Sequence, residues 1–208
     1  MIRFKFIQNW IDALRGKKKK RYTVKGKNNI IDVVNKNSRH DLNIIVRGDN
    51  NKVIVKTTRP FFATIYVGNP HFPSNNCTVL IDEDASCENC MIKLMEHGCN
   101  FTIGKDCMLS ANIEFWATDG HMVYNDNNEV INIGKSIEIG DHCWIGYNTR
   151  ILKNTKIPAG SIVGMGAIVT KKFDKERVVI AGNPAKIVKE NINWARVAPG
   201  DVVPTGKK

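Results

Sequence analysis

The sequence predicts an all-β fold in which the chain coils into a triangular prism of short parallel strands. The first observation is a branched aliphatic residue that returns at every sixth position from residue 133 to residue 169. These residues are Ile133, Ile139, Ile145, Ile151, Ile157, Val163 and Val169. Because a helix has no period of six and a simple strand has a period of two, the pattern indicates a coil built from identical short sides.

Two further observations support the same prism. A small or β-branched residue lies four positions after each of the first six aliphatic residues, at Ile137, Cys143, Thr149, Thr155, Ser161 and Ala167. Gly follows the aliphatic residue at Gly134, Gly140, Gly146 and Gly164, which eases the bend at a corner. Three units make a coil of eighteen residues, and neighbouring coils stack roughly 4.8 Å apart like adjacent strands. An ordinary Val- and Ile-rich sheet is the alternative interpretation.

The N-terminal segment, residues 1–21, is predicted to hold a short amphipathic helix followed by a basic stretch. Ile7, Trp10, Ile11 and Leu14 have helical spacing. Such a helix would cover the open end of the prism, because an uncapped coil exposes a sheet edge and an apolar interior. Attachment to a membrane surface is the second interpretation, given the lysines that follow.

The positive charge of the chain is concentrated near its start. Residues 1–60 hold 16 Lys and Arg against 4 Asp and Glu, whereas residues 61–208 hold 15 against 16. A basic field of this size favours a polyanion. Nucleic acid is not predicted as a partner, because no aromatic stacking ladder or recognition motif accompanies the lysines. An acidic polysaccharide, a membrane carrying the enzyme complex that makes one, and a merely solvated face remain as alternatives.

Residues 22–172 are predicted to form the prism. Between residues 22 and 103 the period of six blurs, and units with Asn before a short strand recur, their last Asn lying at 29, 51, 76 and 100. Asn tolerates the left-handed backbone of a corner and can stack on Asn in the next coil. Regularity breaks at 116–132, a polar loop that contains His121, and loops of this kind carry function on a rigid scaffold.

Residues 173–208 are predicted to form a turn, a terminal helix from about Pro184 and a loose tail beyond Pro199. Lys171 and Lys172 would close the prism before this segment. Proline at the first turn of a helix is the basis of the helix prediction.

Composition favours a cytoplasmic protein, located at the inner face of the membrane if the basic segment attaches there. The sequence shows no apolar run of about 20 residues that would span a membrane and no secretory signal. Cys107 and Cys143 occupy the small interior position of the repeat, where buried free thiols are expected. Cys87 and Cys90 form a CxxC motif with Cys99 nearby, but a structural zinc site needs four ligands. No metal is therefore predicted.

His121 is the candidate catalytic residue, since it lies in the excursion from the strict repeat and its side chain can accept a proton near neutral pH. Asp119 and Asp141 are both candidates to orient its imidazole. Trp144 is predicted to point outward from the repeat, where a large apolar ring requires a partner. Packing against a neighbouring subunit is one explanation, and a place beside the reacting groups is the other.

The run IGDHCWIGYNTRILKNTKIPAGSIVGMGAIVTK resembles the hexapeptide-repeat acyltransferases, whose fold is a left-handed parallel β-helix. The motif TDGHMVY, from Thr118 to Tyr124, is similar to the general-base motif of the sugar O-acetyltransferases in that family. The closest resemblance is to the polysialic acid O-acetyltransferases, which pair such a His with a Trp. The resemblance implies that an acetyl group passes from acetyl-CoA to a hydroxyl of a bacterial surface glycan, an acidic, sialic-acid-containing capsule or a lipopolysaccharide sugar. It makes His121 the base and Trp144 a wall beside the thioester.

By the same resemblance, the enzyme is a homotrimer with coenzyme A in the groove between two prisms. The implied cofactor-binding residues are Gly146, Tyr147, Gly164, Met165, Lys171, Lys186 and Lys189. Lys186 stands where related enzymes often have Arg, so a point charge replaces a bidentate fork there. The implied acceptor-binding residues are Tyr124 and the basic segment of Lys17, Lys18, Lys19, Lys20 and Arg21.

Three other functions remain open at this stage. A nucleotide-sugar N-acetyltransferase would share the prism and use an amine acceptor. A metalloenzyme of the carbonic anhydrase type needs three convergent histidines, and His97, His121 and His142 lack that spacing. A non-catalytic polyanion-binding module would bind through residues 15–59 and lose affinity steeply with salt. The long N-terminal helical segment of maltose and galactoside acetyltransferases has no counterpart, which argues against free small sugars as acceptors.

Overall fold

The computed structural model describes residues 21–34 and 39–198, and all regular structure within them is β-strand. The first nine strands are β1 (Arg21–Lys25), β2 (Ile30–Val33), β3 (Asp41–Arg47), β4 (Lys52–Val55), β5 (Phe61–Val67), β6 (Thr78–Ile81), β7 (Ser86–Leu94), β8 (Asn100–Ile103) and β9 (Met108–Leu109). The next nine are β10 (Ile113–Trp116), β11 (Ile137–Ile139), β12 (Trp144–Ile145), β13 (Arg150–Leu152), β14 (Thr155–Ile157), β15 (Ile162–Val163), β16 (Ile168–Val169), β17 (Val179–Gly182) and β18 (Ala185–Lys189). These described residues contain no helix that could cross a membrane.

The strands stack into the three faces of a prism. The first face carries β1, β3, β5, β7, β9, β12, β15 and β17 in that order, all paired in parallel. The second face carries β10, β13 and β16, and the third carries β2, β4, β6, β8, β11 and β14. Strand β7 turns from the first face to the second, since its start pairs with β9 and its end with β10. The fold is therefore the predicted left-handed parallel β-helix, with about 7 turns.

The corners between the faces are named here by their order along each coil. The first corner, between the first and second faces, includes 110–112, 146–148 and 164–166. The second corner, between the second and third faces, includes 95–98, 117–136 and 153–154. The third corner, between the third and first faces, includes 104–107, 140–143 and 158–161.

The six-residue repeat fills the interior as predicted from Ile137 onward. The aliphatic residues from Ile139 to Val169 are at most 2% exposed, and the small residues of the second register are at most 1% exposed. Complete burial of one such aliphatic side chain contributes roughly 1.5–3 kcal/mol. The prediction is wrong at Ile133, which is 61% exposed, because the chain has not yet returned to the prism at that point.

The predicted asparagine corners are present in the early coils, with one change of register. Asn28, Asn50 and Asn76 have positive φ angles of 56°, 58° and 58°, and Asn28 Nδ2 donates to Asn50 Oδ1 at 3.2 Å. Gly98, with φ 71°, takes the same position in the fourth unit. The fourth Asn, Asn100, instead lies in β8 and pairs with Thr78. The predicted positions 29, 51, 76 and 100 therefore lie within two residues of the left-handed corner residues.

The predicted terminal helix from about Pro184 is wrong. Residues 185–189 form β18, which pairs antiparallel with β17 through a tight turn at Asn183–Pro184. The last parallel strand, β17, presents an unpaired edge, and β18 forms backbone hydrogen bonds with that edge in place of those within a helix. The parallel stack also continues to β17, beyond the predicted boundary at residue 172. The N-terminal helix predicted within residues 1–21 lies outside the described residues except for Arg21.

Candidate active site

The polar loop that contains His121 occupies residues 117–136, between β10 and β11 at the second corner. Its outer part is a short hairpin, in which Ile131 N donates to Val123 O at 2.9 Å and Tyr124 pairs with Val130. Asn125 closes the tip by accepting from the Glu129 backbone amide at 3.0 Å. The loop covers the predicted excursion at 116–132, except for Trp116 at the end of β10, and extends four residues further.

Glu96, from the coil beneath, holds the two ends of this loop together. One carboxylate oxygen accepts from Thr118 Oγ1 at 2.8 Å, and the other accepts from the Gly134 backbone amide. A Cβ atom at Gly134 would lie 2.5 Å from both the Ala117 carbonyl oxygen and the Glu96 carboxyl group. Gly134 is therefore required by the close approach of the loop ends.

Lys153, from the coil above, ties the same loop a second time. Its ammonium group donates to the Asp119 carboxylate and to the Asn132 carbonyl oxygen. The Lys153 side chain is only 16% exposed, so this contact is partly shielded from water. The hydrogen bond from Lys153 holds the pKa of Asp119 below its ordinary value.

Asn132 connects that tie to the backbone of His121. Its Nδ2 atom donates to Asp119 Oδ2 at 2.9 Å and to the His121 carbonyl oxygen at 2.8 Å. Its Oδ1 atom accepts from the Val123 backbone amide at 2.7 Å. One amide side chain thus holds the backbone that follows the residue predicted to be the base, and a fixed backbone limits where its imidazole can point.

The His121 side chain is exposed and borders a cavity of about 270 Å³. The Phe72 ring, carried by the loop before β6, meets the imidazole edge-on with ring centroids 6.5 Å apart. The remaining lining residues are Met95, Glu96, Thr118, Gly120, Met122, Val130, Asn132 and Ile133. The imidazole therefore borders a mostly apolar cavity, where a ligand that enters could come within hydrogen-bond reach of it.

Neither predicted aspartate touches the imidazole. Asp119 is engaged by Lys153 and Asn132, and Asp141, at the third corner, accepts from the Lys105 backbone amide at 2.7 Å. Asp119 acts on the loop rather than on the ring, so neither of the two candidates to orient the imidazole is hydrogen-bonded to it in this structure. Within the described residues, neither ring nitrogen of His121 has a hydrogen-bond partner.

Trp144 points outward from β12 on the first face, as predicted, and is 39% exposed. It does not line the cavity beside His121 in the same chain. Because the loop projects from the second corner and Trp144 lies on the first face, a single chain does not bring these two residues together.

The predicted donor-binding residues lie mainly on the Trp144 side of the prism. Tyr147 and Met165 are adjacent at the first corner, 48% and 75% exposed, and Gly166 N donates to Tyr147 O at 2.9 Å. A Cβ atom at Gly146 would lie 2.7 Å from Met165 N, and one at Gly164 would lie 3.1 Å from Ala181 Cβ. Glycine therefore lets these coils stack closely at the corner.

The predicted basic residues fall into separate groups. Lys186 and Lys189 are exposed on β18, beside β17. Lys171 follows β16 on the second face, where its ammonium group lies 5.4 Å from the Phe173 ring centroid. Of the predicted acceptor-binding residues, Tyr124 is 59% exposed on the hairpin and Arg21 is exposed in β1. Lys17, Lys18, Lys19 and Lys20 lie outside the described residues.

Sequence reasoning missed Glu96, Lys153 and Asn132, as well as Trp194 and Arg196, which pack back along the prism. The repeat places Lys153 at a corner beside the inserted loop, and this could have marked it as a candidate. Nothing in the sequence spacing of Glu96, Asn132 or the C-terminal residues indicated their contacts.

Residues 21–34 and 39–198 hold no cluster of three or more His, Cys, Asp or Glu side chains placed to bind a metal ion.

No family model matches the chain. The chain is 36% identical over 197 residues to the polysialic acid O-acetyltransferase of Neisseria meningitidis, with 84% of this chain and 89% of that protein covered. It is also 36% identical over 111 residues to the polysialic acid O-acetyltransferase of Escherichia coli O1:K1 / APEC, covering 53% of this chain. The aligned stretch spans 36% of the length of that second relative.

Two solved structures resemble the fold. The polysialic acid O-acetyltransferase OatWY superposes with a TM-score of 0.64 at 31% identity, covering 87% of this chain and 94% of that one. The polySia-specific acetyltransferase NeuO superposes with a TM-score of 0.64 at 28% identity, covering 87% of this chain and 92% of that one. The likeness therefore covers nearly the whole prism.

Proposed function

Since the chain belongs to the polysialic acid O-acetyltransferase family, we propose that it transfers an acetyl group from acetyl-CoA to a hydroxyl of an acidic, sialic-acid-containing surface glycan. The observation that carries this proposal is the double attachment of the His121 loop, which presents an imidazole at the rim of a cavity. A base held this way can act on an acceptor hydroxyl without first ordering its own loop.

In the proposed reaction, His121 removes the proton from the acceptor hydroxyl as its oxygen attacks the thioester carbonyl carbon. The tetrahedral intermediate then collapses, the carbon–sulfur bond breaks, and the imidazolium returns its proton to the leaving thiolate. Trp144 forms a wall beside the thioester, and a backbone amide near it donates to the oxyanion. Asp119, Asn132 and Lys153 keep the base in place.

We assign the two halves of one site to two neighbouring chains of a homotrimer. Support comes from the separation of the His121 loop at the second corner from Trp144 on the first face. The donor binds along Tyr147, Met165 and Gly164 of the chain that supplies Trp144, and Lys186 and Lys189 of that chain approach the phosphates. Lys171, one coil beyond Lys153 at the second corner, belongs to the side of the chain that supplies His121.

The acceptor enters past Tyr124, and the basic N-terminal segment draws in the polyanion.

All six cysteines are free thiols, which is in keeping with a reducing compartment such as the cytoplasm. Contact of the N-terminal segment with a membrane or a glycan-synthesis complex remains a prediction.

The test is thiol release from acetyl-CoA with polysialic acid, sialic acid oligomers, neutral sugars and amino sugars as acceptors. The proposal expects release with the acidic glycans, and a loss of about 10²–10⁴-fold in kcat for His121→Ala. His71→Ala removes an exposed histidine that does not line the cavity and serves as the matched control. Faster transfer to an amine would favour the N-acetyltransferase alternative, and thiol release from no acceptor would overturn the proposed reaction.

Mixing the variants tests the shared site. Neither His121→Ala nor Trp144→Ala alone should be active, but refolded mixtures of the two should regain about a quarter of the wild-type sites if each site joins two chains. Mixtures that stay inactive would show that His121 and Trp144 act within one chain or not together.

A further inference from the structure

The chain runs back along the prism after β18 as an extended segment, residues 191–197, here called the C-terminal strap. Alternate residues face the prism: Ile192, Trp194 and Arg196 are partly buried, and the residues between them are exposed. The strap follows the third corner, where one left-handed residue per coil forms a column. That column comprises Asp84, Asp106, His142, Gly160 and Arg177, with φ angles between 52° and 67°.

The strap reaches several levels of this column. Ile192 N donates to Arg177 O at 3.0 Å. Trp194 stacks on His142, with ring centroids 4.2 Å apart and an interplanar angle of 10°. Trp194 Nε1 donates to His142 O at 2.8 Å, and His142 Nε2 lies 3.1 Å from Trp194 O. The indole is therefore held on its face, at its nitrogen and through its own backbone.

Arg196 anchors the strap further down the corner. Its guanidinium group donates to Ser86 Oγ at 2.8 Å, to Cys107 O at 2.8 Å and to Asp106 Oδ1 at 3.1 Å. Asp106 Oδ2 in turn lies 2.8 Å from His142 Nδ1. Partial burial raises the pKa of Asp106, but the hydrogen bonds from His142 and Arg196 outweigh it and hold that pKa below its ordinary value. None of these contacts involves Trp144, so the position of the strap is fixed independently of that residue.

Trp144 is the neighbour on which the strap acts. On the first face its side chain lies between those of Met108 and Ile162 in the adjacent coils. The Trp194 ring bounds it from the side, with centroids 6.1 Å apart and an interplanar angle of 46°. Among the described aromatic side chains, Trp194 is the one whose ring contacts Trp144.

We propose that Trp194 is a positioning residue, which holds the Trp144 indole in the orientation that the acetyl-transfer site uses. This inference rests on the proposed function for the role of Trp144. A half-exposed indole on a strand of two residues has few contacts to limit its rotamers. The strap supplies a rigid lateral boundary, and misplacement of a site group by about 1 Å can cost roughly 100-fold in rate.

The experiment compares Trp194→Ala, Trp194→Phe and Arg196→Ala in the full chain, with Val197→Ala as the control. Val197 belongs to the strap but is exposed and lies outside the tryptophan pair. The readouts are kcat and KM for acetyl-CoA, and the ¹⁹F resonance of Trp144 in 5-fluorotryptophan-labelled protein. Arg196→Ala matters because it loosens the strap while keeping the Trp194 ring.

Trp194→Ala and Arg196→Ala should both lower kcat by on the order of 10–100-fold, and both should shift and broaden the Trp144 resonance. Trp194→Phe should retain most of the activity and Val197→Ala all of it. Unchanged kcat and an unmoved resonance in Trp194→Ala would overturn the inference, as would a loss of activity that follows the melting temperature alone. If the wild type transfers no acetyl group, the proposed function fails, and the resonance still decides whether Trp194 positions Trp144.

Discussion

The side-chain amide of Asn132 holds the backbone of His121, with its Nδ2 atom 2.8 Å from the His121 carbonyl oxygen. The same side chain accepts from the Val123 amide at 2.7 Å, so one residue fixes the backbone from the His121 carbonyl to the Val123 amide. Asn132 itself is fixed by Asp119 and Lys153. The position of the proposed base is therefore set by a short polar network at the foot of its loop.

Asn132→Asp should lower kcat by on the order of 10–100-fold with little change in melting temperature. The new carboxylate keeps an acceptor for the Val123 amide, but it places an oxygen against the His121 carbonyl and against the Asp119 carboxylate. Thiol release from acetyl-CoA measures the effect. Asn127→Asp adds the same charge at the exposed tip of the hairpin and should leave kcat unchanged. Equal activity of the two variants would show that the hydrogen bonds of Asn132 do not position the base.

Asp119→Asn should lower the melting temperature at pH 7, and the difference from wild type should disappear in acid. The pKa of Asp119 is lowered in the folded protein by the hydrogen bond from Lys153. A lowered folded-state pKa stabilises the protein above the ordinary Asp pKa of about 3.9, and that stabilisation is lost as the pH falls through the folded-state value.

Thermal unfolding from pH 7 down to about pH 2 passes below that ordinary Asp pKa and measures this dependence. Asp126→Asn, at the exposed hairpin tip, is the control and should leave the pH dependence of wild type intact. The effect is modest because the Asp119 side chain is 46% exposed. A constant difference between Asp119→Asn and wild type at all pH values would contradict the prediction.

Gly98→Asn should stabilise the early coils by on the order of 0.5 kcal/mol, since it limits the unfolded chain at a position whose backbone Asn can adopt. Gly98 has φ 71° and open space around the place of a Cβ atom. It continues the column of Asn28, Asn50 and Asn76, which share that backbone. Gly98→Ala is the matched contrast and should destabilise by roughly 1–2 kcal/mol, because Ala disfavours a left-handed backbone. Denaturant unfolding measures the free energy of unfolding of both variants. A Gly98→Asn variant less stable than the wild type would contradict the prediction that Asn fits this position of the column.

The six cysteines should be inert toward Ellman's reagent in the native protein at pH 8 and should all react after unfolding. Every one is a buried free thiol. Burial, with the neighbouring Cys77 and Glu96, raises the pKa of Cys99 to about 12, and burial raises that of Cys77 as well. The reactive thiolate of these two residues is therefore scarce at pH 8. The hydrogen bond with Cys107 lowers the pKa of Cys143 instead, so the protection of that thiol rests on its complete burial in the prism. A thiol that reacts in the native state would mean that the prism opens locally.

The sequence by itself determined the prism from Ile137 onward, the burial of Cys107 and Cys143, the outward direction of Trp144 and the place of the His121 loop. Each of these depends on contacts between residues at a fixed spacing, and a strict repeat converts spacing directly into position. Where the repeat loosens, the prediction loses accuracy: Ile133 is exposed in the loop, and the segment after Pro184 is a strand because β17 offers it an edge.

Only the tertiary structure decided which residues support the site. Glu96 and Lys153 reach the His121 loop from neighbouring coils, and Asn132 links its two arms from within. Asp119 bonds to Lys153 instead of to the imidazole. The strap brings Trp194 to Trp144 across a separation of 50 residues that no period relates. Such contacts follow from how coils stack and how a non-repeating segment folds back over them. The spacing of residues along the sequence does not predict these contacts, because each depends on the three-dimensional path of the whole chain.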